Sequence, residues 1–300
     1  MSKQYKYYKA YGLTLASEID LPELLPAETQ EADVYIHLND VPESIENAYK
    51  GVRFEAVKGE FLLNVDNVAK YYVSNGKSVD IQVVDGATDE EVKLFLLGSA
   101  FGALIYQRNK LPFHGSTVLV DGKAVVISGV SGAGKSTLSL NLIRKGYALI
   151  SDDVSLAEIE QEKITKINPG FPRVKLWKDS LDYYEIDTNN LKRIRPGLQK
   201  YSLPIDNFSD KQAEVSHIFI LRTHNSEDII VKEIKGGQKF NVLSKNVYRK
   251  IFVKATKSEI VLFKTISLLA KQTRVYEIVH PGEKNKIEEI SNLIINTVIS

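Results

Sequence analysis

Along the first third of the chain, hydrophobic positions recur with the period of strands; near residue 88 they change to the period of a helix. Val34-Tyr35-Ile36-His37-Leu38 is a short apolar run. Between Glu60 and Val65, Phe61, Leu63 and Val65 recur at every second position, the pattern of a half-buried strand. Lys70 to Val84 reads as a hairpin turning at Asn75-Gly76, because both residues of that turn need positive φ. Residues 1 to about 86 are therefore predicted to be β-rich, with many tyrosines and no evident catalytic cluster. Thr88 and Glu91 then form a capping box. The helix it opens is predicted to run to about Lys110, with Pro112 marking its end.

Beyond Pro112 the two periods alternate. Ser116 to Val120, the Asp121-Gly122 turn and Lys123 to Ser128 predict a second hairpin. Ser136 to Lys145 predicts a helix closed by Gly146. Tyr147 to Ser151 predicts a strand ending at Asp152-Asp153, and Val154 to Ile159 and Lys163 to Ile167 two more. Residues 169 to 213 read as irregular, with prolines, Trp177 and mixed charge. A segment that long inside a compact domain is either functional or disordered. Strands are predicted at His217 to Arg222, Ile229 to Ile234 and Arg274 to Val279. Thr256-Lys257-Ser258-Glu259 reads as a second capping box, opening a helix to about Gln272. Ile287, Ile290, Leu293, Ile294 and Val298 have the spacing of a final amphipathic helix. The organisation expected is a smaller β-rich α+β domain over 1–110, ending in a linking helix, and an α/β domain over 111–300.

Composition narrows the class. With 43% hydrophobic and 26% charged residues in 300, the chain is ordinary globular protein. A net charge of +1 points to neither nucleic acid nor membrane. With no cysteine, disulfides and thiolate metal sites are excluded. The opening MSKQYKYYKAYG lacks the apolar core of a signal peptide. The longest apolar run, Leu94 to Tyr106, is too short to span a bilayer and reads as a buried helix. The expected location is the cytoplasm.

The chemistry concentrates at Gly129-Val130-Ser131-Gly132-Ala133-Gly134-Lys135-Ser136, which matches G-x-x-x-x-G-K-[ST]. An apolar strand leads into it and a helical pattern follows, the setting of a phosphate-binding loop. Backbone N–H groups of Gly129, Ser131, Gly132, Ala133 and Gly134 would curl around a nucleotide phosphate, with Thr137 in the first helical turn behind them. Lys135 would reach the outer phosphates and the Ser136 hydroxyl would ligate Mg²⁺. Asp152-Asp153 ends the next strand, and carboxylates at a strand's C-terminal edge face the same crevice as the loop. One can hold Mg²⁺; the other can accept the proton of an attacking hydroxyl. Residue pattern alone leaves open which does which. His114-Gly115 precedes the hairpin that feeds the loop; His37, His217, His224 and His280 read as structural or exposed residues. Arg173 and Lys175 would share one face of an extended segment. With Lys200 they are candidate cations for phosphate or for an acceptor's carboxylate, while Trp177 reads as a core residue.

The stretch LPFHGSTVLVDGKAVVISGVSGAGKSTLSLNLIRKGYALISDDVSL resembles the kinase domain of HPr kinase/phosphorylase: a His-Gly, a hairpin, a phosphate loop, a helix ending in a basic-Gly turn, then Asp-Asp. The resemblance implies a fold shared with ATP-dependent phosphoenolpyruvate carboxykinase. It implies ATP and Mg²⁺ held by Lys135 and Ser136, a transfer pocket lined by His114 and Asp152, and Asp153 as the base for an acceptor serine. Because those kinases are hexameric, it also implies a homo-oligomer. Thr137 stands where the bifunctional enzymes typically carry Glu, and their downstream glycine-rich segment is not found, so a one-way kinase is expected. YKAYGLTLASEIDLPEL, PGFPRVKLW and KYSLP resemble HPr-kinase-related proteins of lasso-peptide maturation, which implies phosphorylation of a precursor peptide's serine, often the C-terminal one.

Three functions compete at this point. The first is an ATP-dependent serine kinase of a peptide or protein, HPr included. The second is a kinase of a small, serine-like molecule, or a carboxykinase-like enzyme. The third is a nucleotide-dependent peptide-binding module without turnover.

Overall fold

The computed structural model describes residues 4–162, 164–195, 197–225 and 227–300. Lys163, which opens one predicted strand, and the first three residues of the N-terminal segment lie outside them. The chain forms two compact units, Met1–Pro112 with Arg249–Leu262 and Phe113–Tyr248 with Phe263–Ser300. The architecture is mixed α/β, and among the described residues no helix is long and apolar enough to cross a membrane.

The first unit is built on β1 (Lys6–Ala10), β2 (Leu13–Ser17), β3 (Leu25–Pro26), β4 (Val34–Leu38), β5 (Tyr49–Lys50), β6 (Phe54–Val57), β7 (Glu60–Val65), β8 (Ala69–Ser74) and β9 (Ser78–Val83). These form one sheet in the order β3-β1-β2-β4-β9-β8-β7-β6-β5. Ala69, Tyr71 and Val73 of β8 point into the core, the alternation that a one-sided sheet demands. Asn75 and Gly76 turn the β8–β9 hairpin with φ of 51° and 63°. Thr88 caps α1 (Asp89–Phe95) with a complete capping box. The linking helix is not continuous: a π-helical turn, Leu96–Ala100, separates α1 from α2 (Phe101–Gln107). Gly98-Ser99, weak helix formers, sit where the ladder widens. In the returning segment, Phe252 packs edge-on to Phe54 and Phe61, with ring centroids 4.9 and 4.7 Å apart.

The second unit carries β10 (Leu111–Val120), β11 (Lys123–Gly129), α3 (Lys135–Arg144), β12 (Ala148–Ser151), β13 (Val154–Glu160), β14 (Ile164–Asn168), β15 (Arg173–Trp177), α4 (Lys178–Tyr183), β16 (Lys192–Arg193), β17 (Lys200–Pro204), β18 (Ala213–Thr223), β19 (Ile230–Ile234) and α5 (Gly237–Lys245). Next comes α6 (Ile251–Ala255), which belongs to the first unit. After it follow α7 (Glu259–Gln272), β20 (Arg274–His280), a 3-10 turn at Lys284–Lys286 and α8 (Ile287–Ile299). The main sheet runs β11-β10-β13-β14-β18-β20-β19, with β12 beside β10 and β11 also paired with β18. β11, β18 and β20 are mutually parallel, so Gly129, Thr223 and His280 end at one edge. Antiparallel β10 starts there, which brings His114 to the same edge.

Two expectations are corrected. Residues 169–213 contain a second sheet, β15-β17-β16, rather than irregular chain. Its inward residues Val174, Leu176 and Tyr201 are buried; the period of two was masked by flanking prolines and outward charges. The second capping box does not form around Thr256. That hydroxyl donates back to the Phe252 carbonyl, closing α6, and α7 starts after Ser258.

Candidate active site

The phosphate loop leaves β11 with Gly129 at φ 143° and enters α3 through Gly134 at φ 87°. A Cβ on Gly129 would lie 2.5 Å from the Leu221 carbonyl oxygen of the parallel neighbour, so only glycine fits. The loop forms one wall of a pocket lined by Ser131, Gly132, Ala133, Gly134, Lys135, Ser136 and Thr137. His114, Asp153, Lys175, Trp177 and Lys200 also line it, together with His280, Gly282 and Lys284. Gly129 starts the wall from beneath, Asp152 is buried behind it, and Arg173 is not among the lining residues.

The two aspartates differ sharply. Asp152 is only 6% exposed and accepts three hydrogen bonds. Its Oδ1 accepts from the Ser136 hydroxyl at 3.0 Å and from the Ser116 hydroxyl; its Oδ2 accepts from the Lys175 backbone N–H at 2.8 Å. Asp153 faces the pocket from a left-handed backbone conformation, φ 69°, unusual for a non-glycine residue. Its Oδ2 is 3.0 Å from Lys175 Nζ and its Oδ1 3.8 Å from His114 Nδ1. Burial alone would raise the Asp153 pKa. The Lys175 charge and hydrogen bond, with His114 and Lys200 behind, outweigh it and hold the carboxyl well below the usual range. Burial opposes the charge on Lys175 as well, but Asp153 prevails and raises that pKa.

His114 Nδ1 lies 3.1 Å from the Asp153 carbonyl oxygen. A carbonyl only accepts, so Nδ1 carries the proton. Burial, then the Lys135 charge, lower the His114 pKa against the pull of Asp153, so the ring is neutral near pH 7. Lys135 Nζ donates to the Gly129 and Val130 carbonyls, both at 3.0 Å, and burial lowers its pKa. Thr137 Oγ1 and Ser180 Oγ share a hydrogen bond of 3.0 Å, tying α3 to α4.

The Ser136 hydroxyl and the Asp152 carboxylate are hard oxygen donors 3.0 Å apart beside the phosphate loop, a donor set suited to Mg²⁺.

His280 escaped the reading by residue type. It is 1% exposed, its Nε2 donates to the Ala133 carbonyl at 3.2 Å, and its Nδ1 accepts from the Gly282 N–H at 3.1 Å. It props the loop from the end of β20. Lys284 meets Asp179 across the pocket mouth at 2.6 Å. Neither carries a local motif; both follow from β20, which β18 aligns parallel to β11.

Residues 107–171 match the family of the HPr Serine kinase C-terminal domain. Among curated relatives, the HPr kinase/phosphorylase of Chlorobaculum tepidum is 32% identical over 103 residues, 31% of this chain and 30% of that protein. The HPr kinase/phosphorylase of Mycoplasmopsis pulmonis is 47% identical over 53 residues, 18% of this chain and 17% of that protein. These matches thus span under a third of the relatives' own length. The solved structure of the Hpr(Ser) kinase/phosphatase from Coxiella burnetii aligns at TM-score 0.35 and 16% identity, covering 63% of this chain and 90% of that one. Over its phosphate-loop core the chain is HPr kinase-like.

Proposed function

We propose that this chain is an ATP-dependent kinase that phosphorylates a serine hydroxyl on a peptide or protein in the cytoplasm. The observation that carries the reading is the meeting of Lys135, His114, Asp153 and Lys175 in one pocket with the phosphate loop. The loop N–H groups and Lys135 hold the β- and γ-phosphates of ATP and offset charge on the transferred group. Asp153, ionised and aimed into the pocket, accepts the proton of the acceptor hydroxyl. The serine oxygen forms its bond to γ-phosphorus as the bond to the bridging oxygen breaks and ADP leaves. His114 fixes the Asp153 backbone through the carbonyl, and Lys175 keeps its carboxylate ionised and oriented. Ser136 and Asp152 are the residues that would hold Mg²⁺, which when bound neutralises phosphate charge. Thr137, engaged with Ser180, supplies no carboxylate, consistent with one-way transfer.

The finer reading of the acceptor is the C-terminal serine of a lasso-type precursor peptide. A second reading, a serine of HPr, is favoured by the names of the curated relatives. Incubation with labelled ATP and Mg²⁺ separates them, using a serine-terminated peptide, HPr and free serine as acceptors. Label on the peptide alone is expected. Label on HPr alone establishes the second reading, and label on free serine points to a small-molecule kinase. Tight ATP binding with no transfer to any of them sinks the kinase reading and leaves a nucleotide-dependent binding module.

A further inference from the structure

The small sheet β15-β17-β16 has two unlike faces. Strand pairing sets Lys175 opposite Ser202, Ser202 opposite Lys192, and Trp177 opposite Lys200. Side chains opposite one another share a face, and alternation adds Arg173 to it. The other face, carrying Val174, Leu176 and Tyr201, is buried in a hydrophobic cluster. The outward face is thus cationic, and two of its members, Lys175 and Lys200, line the pocket. Trp177, expected from the sequence to be a core residue, is instead 41% exposed, because alternation puts it on the outward face with Lys175, and Lys200 Nζ lies 5.7 Å from its ring centroid. The nearby acids of α4 face other lysines: Asp179 pairs with Lys284 and Asp182 with Lys178.

Resting on the kinase reading above, we propose that this face is the docking surface for an extended acidic segment of the acceptor, which it leads to Asp153. Charge complementarity names the occupant. Alternate residues of an extended peptide are about 6.8 Å apart, the same step that separates Arg173 from Lys175 along β15. Carboxylates at that spacing would therefore come into register with Arg173 and, past Lys175, which is already paired with Asp153, with Lys200 opposite Trp177, while the alternate side chains face solvent. The net charge of +1 and the lone aromatic on the face favour a short acidic peptide over single-stranded nucleic acid, which needs a long basic track with several stacking rings.

The test uses the full chain and three short serine peptides of equal length, flanked by Asp/Glu, by Asn/Gln or by Lys. The acidic peptide should show a KM about tenfold below the neutral one at low salt, a gap that closes at 1 M salt. Lys192→Glu, at the far strand of the face, should abolish that preference and let the Lys-flanked peptide overtake. Arg173→Glu should act in the same direction, and circular dichroism checks that each variant folds. Equal KM for the three peptides, or a folded Lys192→Glu indistinguishable from wild type, overturns the docking surface while leaving the kinase reading intact. Binding of an acidic peptide whose serine is replaced by alanine, measured by fluorescence anisotropy, supports the surface even if no transfer is seen with any peptide. That combination removes the kinase reading alone. Displacement of the bound peptide by single-stranded RNA but not by polyglutamate also overturns the proposal.

Discussion

The two walls of the pocket are made by opposite means. The phosphate-loop wall is backbone: glycines at positive φ, N–H groups, and a helix start, held from below by Leu221 and from the side by His280. The facing wall is side chain: Lys175, Lys200 and Trp177 project from a three-stranded sheet toward Asp153. A wall of backbone recognises phosphate by shape, and at Gly129 it has no room for an added atom. A wall of side chains recognises by charge, so it can change without altering the path of the backbone. On the proposed reading, ATP is held by the first and the acceptor by the second.

The comparison is broken most severely at Gly129. Gly129→Ala sets a methyl against the Leu221 carbonyl oxygen at a φ that alanine avoids, so it should cost about 1–3 kcal/mol of stability and abolish measurable ATP binding. Urea unfolding and calorimetric titration read the two effects. A variant that binds ATP normally would show that the wall is not shape-limited.

Lys175→Met acts on the other wall. Its removal leaves the Asp153 charge partly buried without its main cation, so the carboxyl pKa should rise and the acid limb of kcat/KM move to higher pH. The rate at neutral pH should fall about 10–100-fold with ATP affinity kept. The same pairing stabilises the fold above the ordinary carboxylate pKa and is lost as pH falls through the depressed one. The variant should therefore be destabilised at neutral pH and least so in acid. An unmoved acid limb would remove Lys175 from its role.

The smallest effect is expected at His280. His280→Ala deletes one buried hydrogen bond to the loop and should weaken ATP binding about fivefold, with the pH dependence of transfer unchanged. Unaltered affinity would mean that the loop holds its shape without this prop.

These walls were unequally legible in the sequence. The strand, glycine-rich loop and helix are contiguous, and their conformation follows from local rules, as does the hairpin before them and the strand that delivers Asp152 and Asp153. Thr88 and Asn75-Gly76 were readable for the same reason. The β15-β17-β16 sheet was not, because β16 is only two residues long and the pairing of the three strands depends on a shared apolar face. Arg173 and Lys175 do alternate together on β15, yet only Lys175 reaches the pocket. His280 was hidden for a different reason: its place beside Ala133 follows from the parallel order β11-β18-β20, which no local pattern encodes. The return of Arg249–Leu262 to the first unit is likewise a tertiary choice, made by Phe252 against Phe54 and Phe61.

The most direct measurement is the paired reading of phosphate transfer and ATP binding in Asp153→Asn. This change keeps the shape of the side chain and removes its ability to take a proton. Transfer to a serine peptide should fall by about 10²–10⁴-fold, with ATP affinity within a factor of about two of wild type. Transfer at the full rate in that variant would contradict the assignment of Asp153 as the base and with it the phosphotransfer account of the pocket.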